Sequence, residues 1–125
     1  MDIIGNGDFF MREPDAGDVR QMARLYQHEA VMEHIGAPLD EVSAHKLADQ
    51  LIHQSELRQA LIKLVFHQQD PQLAGLISLH WRSSIQAVEF GIMLRPLYQK
   101  HGLSRSALLP VMRQAGDFLI GLWMS

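Results

Sequence analysis

The chain has 125 residues, of which 47% are hydrophobic and 20% are charged, and its formal net charge is -3. These values fit one small globular domain with a core, and they exclude the strongly basic surface typical of nucleic-acid-binding proteins. Because the chain has no cysteine, a disulfide scaffold, a thiolate zinc site and a cysteine nucleophile are excluded, and a cytoplasmic location is expected. No apolar run approaches the length of a membrane span, so no membrane contact is expected.

The first half of the chain predicts one strand and two helices. Residues Asp8 to Glu13 have the spacing of a first strand, after a flexible or turn-like lead at residues 5–7. Apolar side chains at helical spacing then predict a helix from about Asp18 to Met32. A second helix is predicted from Asp40 or Ser43 to Leu57, after a loop marked by glycine and proline.

The second half predicts three strands and a final helix. The strands span Leu61 to His67, Leu73 to Arg82 and Ala87 to Leu94. Their short polar connections favour an antiparallel meander. The final helix is predicted from Leu103 to Leu122, and Pro110 within it predicts a kink near Ser106–Leu108, because proline lacks the N–H of a helix interior.

A polar, basic segment with one glycine, Gly102, joins the last strand to this final helix. Backbone N–H groups at a helix start are unpaired and carry the positive end of the helix dipole, so they suit a diphosphate. Gly102 lets the backbone come close to a ligand. The alternative is an ordinary strand-to-helix connection in which Ser104 caps the helix.

The segment 99–104 (QKHGLS) resembles the pyrophosphate-binding loop of the GNAT superfamily of N-acetyltransferases, whose pattern is Gln/Arg-x-x-Gly-x-Gly/Ala. Ser104 departs from the last position of that pattern but is small. Upstream, the segment 89–98 (EFGIMLRPLY) is similar to the fourth strand of the ribosomal-protein-alanine acetyltransferase-like branch. In that branch, Glu-apolar-Gly-aromatic is followed by an apolar residue, a proline and the loop.

The resemblance implies an α/β (α+β) fold, in which a mixed, mainly antiparallel sheet is flanked by helices in the order β-α-α-β-β-β-α. Residues 1–125 would form a single, partial acyl-CoA N-acyltransferase-like domain, since the family continues with further strands and another helix. The last predicted strand would then have an open edge, which is a pairing hazard. A homodimer that covers this edge is the expected assembly.

The resemblance also implies acetyl-CoA as co-substrate and indicates which residues bind it. These are Met93, Leu94, Gln99, Lys100, His101, Gly102, Leu103, Ser104 and Arg105. Met93 and Leu94 would lie at a bulge and present backbone groups to the pantetheine and the thioester carbonyl. The backbone N–H groups of the loop would bind the pyrophosphate.

Glu89 is the candidate catalytic residue, because the family often has an acid at this point of the strand and a carboxylate can take the proton of an attacking amine. A solvent-facing glutamate paired with lysine or arginine is the alternative. His80, in the preceding strand, is a second candidate base, and a structural histidine is its alternative. No metal site is predicted, since no two of the seven histidines have the helical spacing of a zinc site.

Three functions remain open at this point. The first is an N-acetyltransferase that transfers acetyl from acetyl-CoA to a primary amine, either a protein N-terminus or a small molecule. The second is a truncated, non-catalytic GNAT-like domain that acts as a dimerising or CoA-binding module. The third is a plain α/β interaction domain with no CoA site.

Overall fold

The computed structural model describes residues 2–4, 7–33, 35–82 and 87–99, and also residues 110, 113, 114 and 116, which are helical. Its strands are β1 (Asp2–Ile4), β2 (Phe9–Arg12), β3 (Ala60–His67), β4 (Leu73–Arg82) and β5 (Ala87–Leu94). Its helices in these ranges are α1 (Val19–Gln27), α2 (Glu29–Met32) and α3 (Glu41–Glu56). Two 3-10 helices, Ala16–Asp18 and Pro96–Tyr98, precede α1 and follow β5.

The strands form one sheet in the order β1-β2-β3-β4-β5, and every neighbouring pair is antiparallel. The predicted meander of three strands is confirmed, with β4 and β5 at their predicted bounds. Strand β1 was not predicted: residues 2–4 pair with residues 9–11 of β2. Three residues are too few to show a period of two.

The helix predicted from Asp18 to Met32 is divided at His28. This residue has extended backbone angles, and its Nδ1 accepts a hydrogen bond from the N–H of Val31 at 3.4 Å, which caps α2. The start of α3 agrees with the prediction, because the Asp40 carboxylate accepts from the N–H of Ser43 at 2.7 Å as an N-cap residue does.

The two faces of the sheet bury different sets of side chains. On one face, side chains such as Leu64, Leu76 and Met93 pack against α1, α2 and α3. On the other face, Leu94 packs in a second cluster with residues of β2, β3 and β4. Successive residues of β5 therefore face opposite sides of the sheet, as the period of a strand requires.

An ion pair fixes β2 to the start of α1. The guanidinium of Arg12 donates two hydrogen bonds of 2.7 Å to the two carboxylate oxygens of Asp18, and it lies 4.8 Å from the ring centre of Phe66. The buried Asp18 carboxylate also accepts from the N–H of Asp15 at 2.8 Å. Burial alone would raise the pKa of Asp18, but these hydrogen bonds lower it below its ordinary value.

Candidate functional site

The one polar side chain of β5, Glu89, lies on the helix-covered face of the sheet. Glu89 and Gly91 share this face with the buried Met93, because β5 pairs with β4 in continuous register. Gly91 is opposite Ser78, and Glu89 is opposite His80. A short polar patch therefore continues the face of the sheet beyond the apolar cluster.

The sequence indicated Glu89 and His80 separately, and the structure places them directly opposite each other on β5 and β4. Glu89 is exposed and His80 is partly buried. Side chains that are directly opposed in an antiparallel pair have β-carbons about 4.5–5.5 Å apart, so a carboxylate and an imidazole are neighbours here. Both groups can accept and release protons, which is the requirement for general acid–base catalysis.

The residues between this pair and Met93 are small. A β-carbon added to Gly91 would lie 3.0 Å from the hydroxyl oxygen of Ser78, so these two positions approach closely. Helix α2 also packs against β5. Gly91 and Ser78 therefore separate the Glu89–His80 pair from the apolar core at Met93.

The bulge predicted at Met93 and Leu94 is wrong. Strand β5 keeps one register with β4 from Ala87 to Leu94, and the N–H of Arg95 extends the ladder by donating to Ala74 O at 2.8 Å. The register shift lies instead between β3 and β4, at Val65 and Phe66. A regular strand directs alternate N–H and C=O groups to opposite edges, so those of Leu94 point away from β4.

The segment after β5 is tied to the turn between β3 and β4. The Arg95 guanidinium donates from Nε to Leu73 O at 2.7 Å, to the Gln72 side chain at 3.1 Å, and to the carboxylate of Asp70. The hydroxyl of Tyr98 donates to the same Asp70 carboxylate at 2.7 Å. This bond from Tyr98, together with those from the N–H of Gln72 and from the Arg95 guanidinium, lowers the pKa of Asp70 to about 2.

Two cavities lie beside α1 and α2. One, of about 140 Å³, is lined by side chains of α1 and by Gln72, Leu73 and Arg95. The other, of about 600 Å³, is an open groove in the loop region after α1; its lining residues are His28, Glu29, Ala30, Glu33, Gly36 and Pro38. The groove therefore carries two carboxylates next to a helix that packs against β5.

Four of the predicted site residues lie in the part of the chain that the structure describes: Glu89, Met93, Leu94 and Gln99. The Gln99 side-chain amide donates to Leu94 O at 3.0 Å, on the outer edge of β5. The other predicted residues, Lys100, His101, Gly102, Leu103, Ser104 and Arg105, lie outside the described residues, as does the predicted kink at Ser106–Leu108. Sequence reasoning missed the partnership of Asp70, Arg95 and Tyr98, for which no local pattern gives a signal.

Neither a metal-ligand cluster nor a membrane-spanning helix is present within the residues that the structure describes. Within those ranges, no three histidine, aspartate or glutamate side chains are grouped so that they could hold a metal ion. Within the same ranges, no helix is both long enough and apolar enough to cross a membrane.

The family model of the acetyltransferase (GNAT) domain matches residues 8–121 of this chain. The chain belongs to the GNAT acetyltransferase family. This finding agrees with the resemblance carried by the segments 89–98 and 99–104, and with the sheet described above. A search of the curated proteins finds no match.

Solved structures share the GNAT fold. The chain is similar to the microcin C7 self-immunity acetyltransferase MccE in complex with acetyl-CoA and AMP, at TM-score 0.70 and 15% identity over 90% of this chain. It is also similar to a Salmonella typhimurium acetyltransferase that modifies the N-terminal serine of a ribosomal protein, at TM-score 0.70 and 18% identity over 88% of this chain. A third is spermidine N-acetyltransferase from Vibrio cholerae in complex with CoA and spermine, at TM-score 0.63 and 22% identity over 90%. The present chain spans 64% of the length of each of these three proteins.

Proposed function

We propose that this GNAT chain is an N-acetyltransferase domain that transfers acetyl from acetyl-CoA to a primary amine. The observation that carries the proposal is the position of Glu89: it lies on β5, opposite His80 of β4, and the segment 99–104 follows β5 after one short 3-10 helix. The family match supports acetyl-CoA as the donor, and two similar structures contain acetyl-CoA or CoA. The reacting carboxylate would then lie on β5, and the proposed cofactor loop would follow the far end of that strand.

In the proposed reaction, the neutral amine attacks the thioester carbonyl of acetyl-CoA. The new N–C bond forms as the C–S bond breaks, and CoA leaves as a thiolate that then takes up a proton. The Glu89 carboxylate accepts the proton of the amine, directly or through a water molecule. His80, as its cross-strand neighbour, orients this carboxylate.

The Met93–Leu94 backbone would bind the pantetheine along the outer edge of β5, where the N–H and C=O of Leu94 point. The backbone N–H groups of residues 99–104 would bind the pyrophosphate, with Lys100 and Arg105 adding positive charge. These assignments rest on the resemblance of the segment to the family's loop.

The acceptor that we propose is a small-molecule amine or a protein N-terminus. A spermidine acetyltransferase and an enzyme that modifies an N-terminal serine are both among the similar structures. The groove of about 600 Å³ has the carboxylates of Glu29 and Glu33 on its lining, which favours an acceptor with more than one positive charge.

The first test is calorimetric titration of acetyl-CoA and CoA into the purified chain, followed by turnover with a panel of amines. Released CoA can be measured with a thiol reagent without background, because the chain has no cysteine. Binding that is lost in Gly102→Glu supports the cofactor loop. Absence of binding in a folded chain would remove the proposed activity and leave only the fold.

Glu89→Gln is the test of the proposed base. We expect kcat to fall roughly 100-fold or more while CoA binding is unchanged, as removal of a general base usually does. Glu56→Gln, at an exposed position at the end of α3, is the matched control. Binding without turnover in the wild-type chain would favour the non-catalytic CoA-binding module.

We also propose a homodimer that covers the outer edge of β5 before Met93 and leaves the Met93–Leu94 backbone to the pantetheine. Within the described ranges β5 pairs only with β4, and Phe90 and Leu97 are 42% and 65% exposed. An open apolar edge favours pairing with another chain. Light scattering across a range of concentrations tests the proposal, and a monomer at every concentration would refute it.

A further inference from the structure

The carboxylate of Asp70 accepts two side-chain hydrogen bonds from a segment that follows it by 25 and 28 residues. One donor is Arg95, the first residue after β5, and the other is Tyr98, the last residue of the 3-10 helix. We call Asp70, Arg95 and Tyr98 the Asp70 clamp. It joins the β3–β4 turn to the residues that immediately precede the proposed cofactor loop.

The clamp holds both of its donors in one geometry. Arg95 also donates to Leu73 O and to the Gln72 side chain, so its guanidinium is bonded along the turn from residue 70 to residue 73. Its central carbon lies 5.3 Å from the ring centre of Tyr98. A planar guanidinium with several bonds of this kind is more restrained than a lysine ammonium would be.

The Tyr98 ring is also fixed by its packing. It is 5% exposed, it stacks on His67 with ring centres 5.8 Å apart, and it meets the edge of Phe9 at 5.3 Å. The hydroxyl is therefore the polar end of a buried ring, and Asp70 is the acceptor that satisfies it.

Gln99 follows Tyr98 directly and is the first residue of the segment 99–104. Its N–H donates to Pro96 O at 3.3 Å, and its side-chain amide donates to Leu94 O at 3.0 Å. The first residue of the proposed loop is thus held between the clamp on one side and the outer edge of β5 on the other.

We propose that the Asp70 clamp positions the cofactor loop and so sets the affinity for the pyrophosphate part of acetyl-CoA. The proposal rests on the proposed function and adds positioning residues to it. Because the clamp restrains the residues that precede the loop, less conformational freedom is lost when the ligand binds, so loosening the clamp weakens binding without touching the ligand. No residue of the clamp takes part in the acetyl transfer itself.

The test compares two acetyl donors. Acetyl-CoA contains the pyrophosphate, whereas S-acetylpantetheine carries the same thioester without it. Tyr98→Phe removes the hydroxyl that bonds Asp70 but keeps the packed ring, so it is the main variant. Arg95→Lys is the conservative second variant, and Arg24→Gln is the control, because Arg24 is exposed and lines the cavity beside Arg95 without joining the clamp.

We expect Tyr98→Phe to raise KM for acetyl-CoA and Kd for CoA at least roughly fivefold, which is the lower end of typical coupling between sites. Its kcat, its KM for the amine and its kcat/KM with S-acetylpantetheine should match the wild type. For Arg95→Lys, KM for acetyl-CoA and Kd for CoA should lie between those of Tyr98→Phe and the wild type. For Arg24→Gln, both values should equal those of the wild type.

Three results would overturn the proposal. The first is equal CoA affinity in Tyr98→Phe and the wild type, which refutes the clamp and leaves the proposed function standing. The second is an equal loss with both donors, which shows that the clamp has only a general structural role. The third is a folded wild-type chain that binds no CoA, which removes the proposed function together with the clamp.

Discussion

Replacing Gly75 by alanine should separate β4 from β5 at the end of β5 that leads to the proposed cofactor loop. Gly75 is opposite Leu94 in the register of these strands. A β-carbon at Gly75 would lie 2.2 Å from Met93 O and 2.6 Å from Leu94 Cδ2. Because the nearest obstacle is a backbone oxygen of the partner strand, a side-chain rotation cannot relieve the clash.

The loss of stability in Gly75→Ala can be estimated from the distance by which β4 and β5 must move apart. Ordinary contacts between nonbonded carbon and other heavy atoms are about 3.5–4 Å, so the strands must part locally by more than about 1 Å. Overpacking of a buried position costs about 1–3 kcal/mol, and a backbone obstacle places Gly75→Ala at about 3 kcal/mol. For a domain of this size, that corresponds to a decrease in Tm of roughly 10 °C.

Gly91→Ala is the matched control, because it adds the same methyl group to the same pair of strands. Its β-carbon would lie 3.0 Å from the Ser78 hydroxyl, a side-chain atom that can rotate away. Urea denaturation of both variants, with CoA titration of the folded chains, measures the difference. Free energies of unfolding that agree to within about 0.5 kcal/mol would refute the close approach at Gly75.

Three further predictions concern stability. Leu64→Ala, at a fully buried position of β3, should lower the free energy of unfolding by about 2–5 kcal/mol in urea denaturation. Arg12→Met should cost about 1.5–3 kcal/mol near pH 7, because it removes both guanidinium bonds to Asp18. Since the pKa of Asp18 is lowered on folding, its ion pair stabilises the chain fully above the ordinary value of 3.8. This stabilisation is lost progressively as the pH falls below 3.8 and through the lowered pKa, so the stabilities of Arg12→Met and the wild type should converge there. Burial raises the pKa of Tyr26 to about 12, and burial together with the bond to Asp70 raises the pKa of Tyr98. Absorbance titration should therefore show that neither phenol ionises at the ordinary value of 10.0. Because the unfolded chain loses these protons first, the free energy of unfolding should fall as the pH rises above that value.

The strands β3, β4 and β5 could be predicted because their apolar runs are long and bounded by turn residues such as Asp70 and Pro71. The break at His28 could not, since the apolar spacing of a helix continues through it. At the break a residue from outside the helix takes over a carbonyl: Leu39 N–H donates to Tyr26 O at 2.8 Å, and this carbonyl would otherwise accept from Ala30 in a continuous helix. Strand β1 could not be predicted for a similar reason, because its three residues form a strand only through their pairing with β2.

The candidate site was predictable in its residues but not in its arrangement. Glu89 and His80 were recognised as separate candidates, and only the register of β4 against β5 places them opposite each other. Asp70 lies in the short polar connection between β3 and β4, which the sequence predicts. Its second role, as the acceptor for Arg95 and Tyr98, depends on how a distant turn folds against the end of β5.

One proposed part of the site lies on β5 and the other follows the end of that strand, and their distance makes them separable. Six residues of extended chain from Glu89 to Arg95 span about 20 Å. Substitutions more than about 10 Å apart without shared partners usually add to within about 0.5 kcal/mol. The double variant Glu89→Gln/Tyr98→Phe should therefore combine the kcat loss of the first with the KM increase of the second, measured as kcat/KM in a double-mutant cycle. A coupling energy above about 1 kcal/mol would mean that the clamp acts on the reacting end of β5, and the assignment of Tyr98 to cofactor binding alone would be wrong.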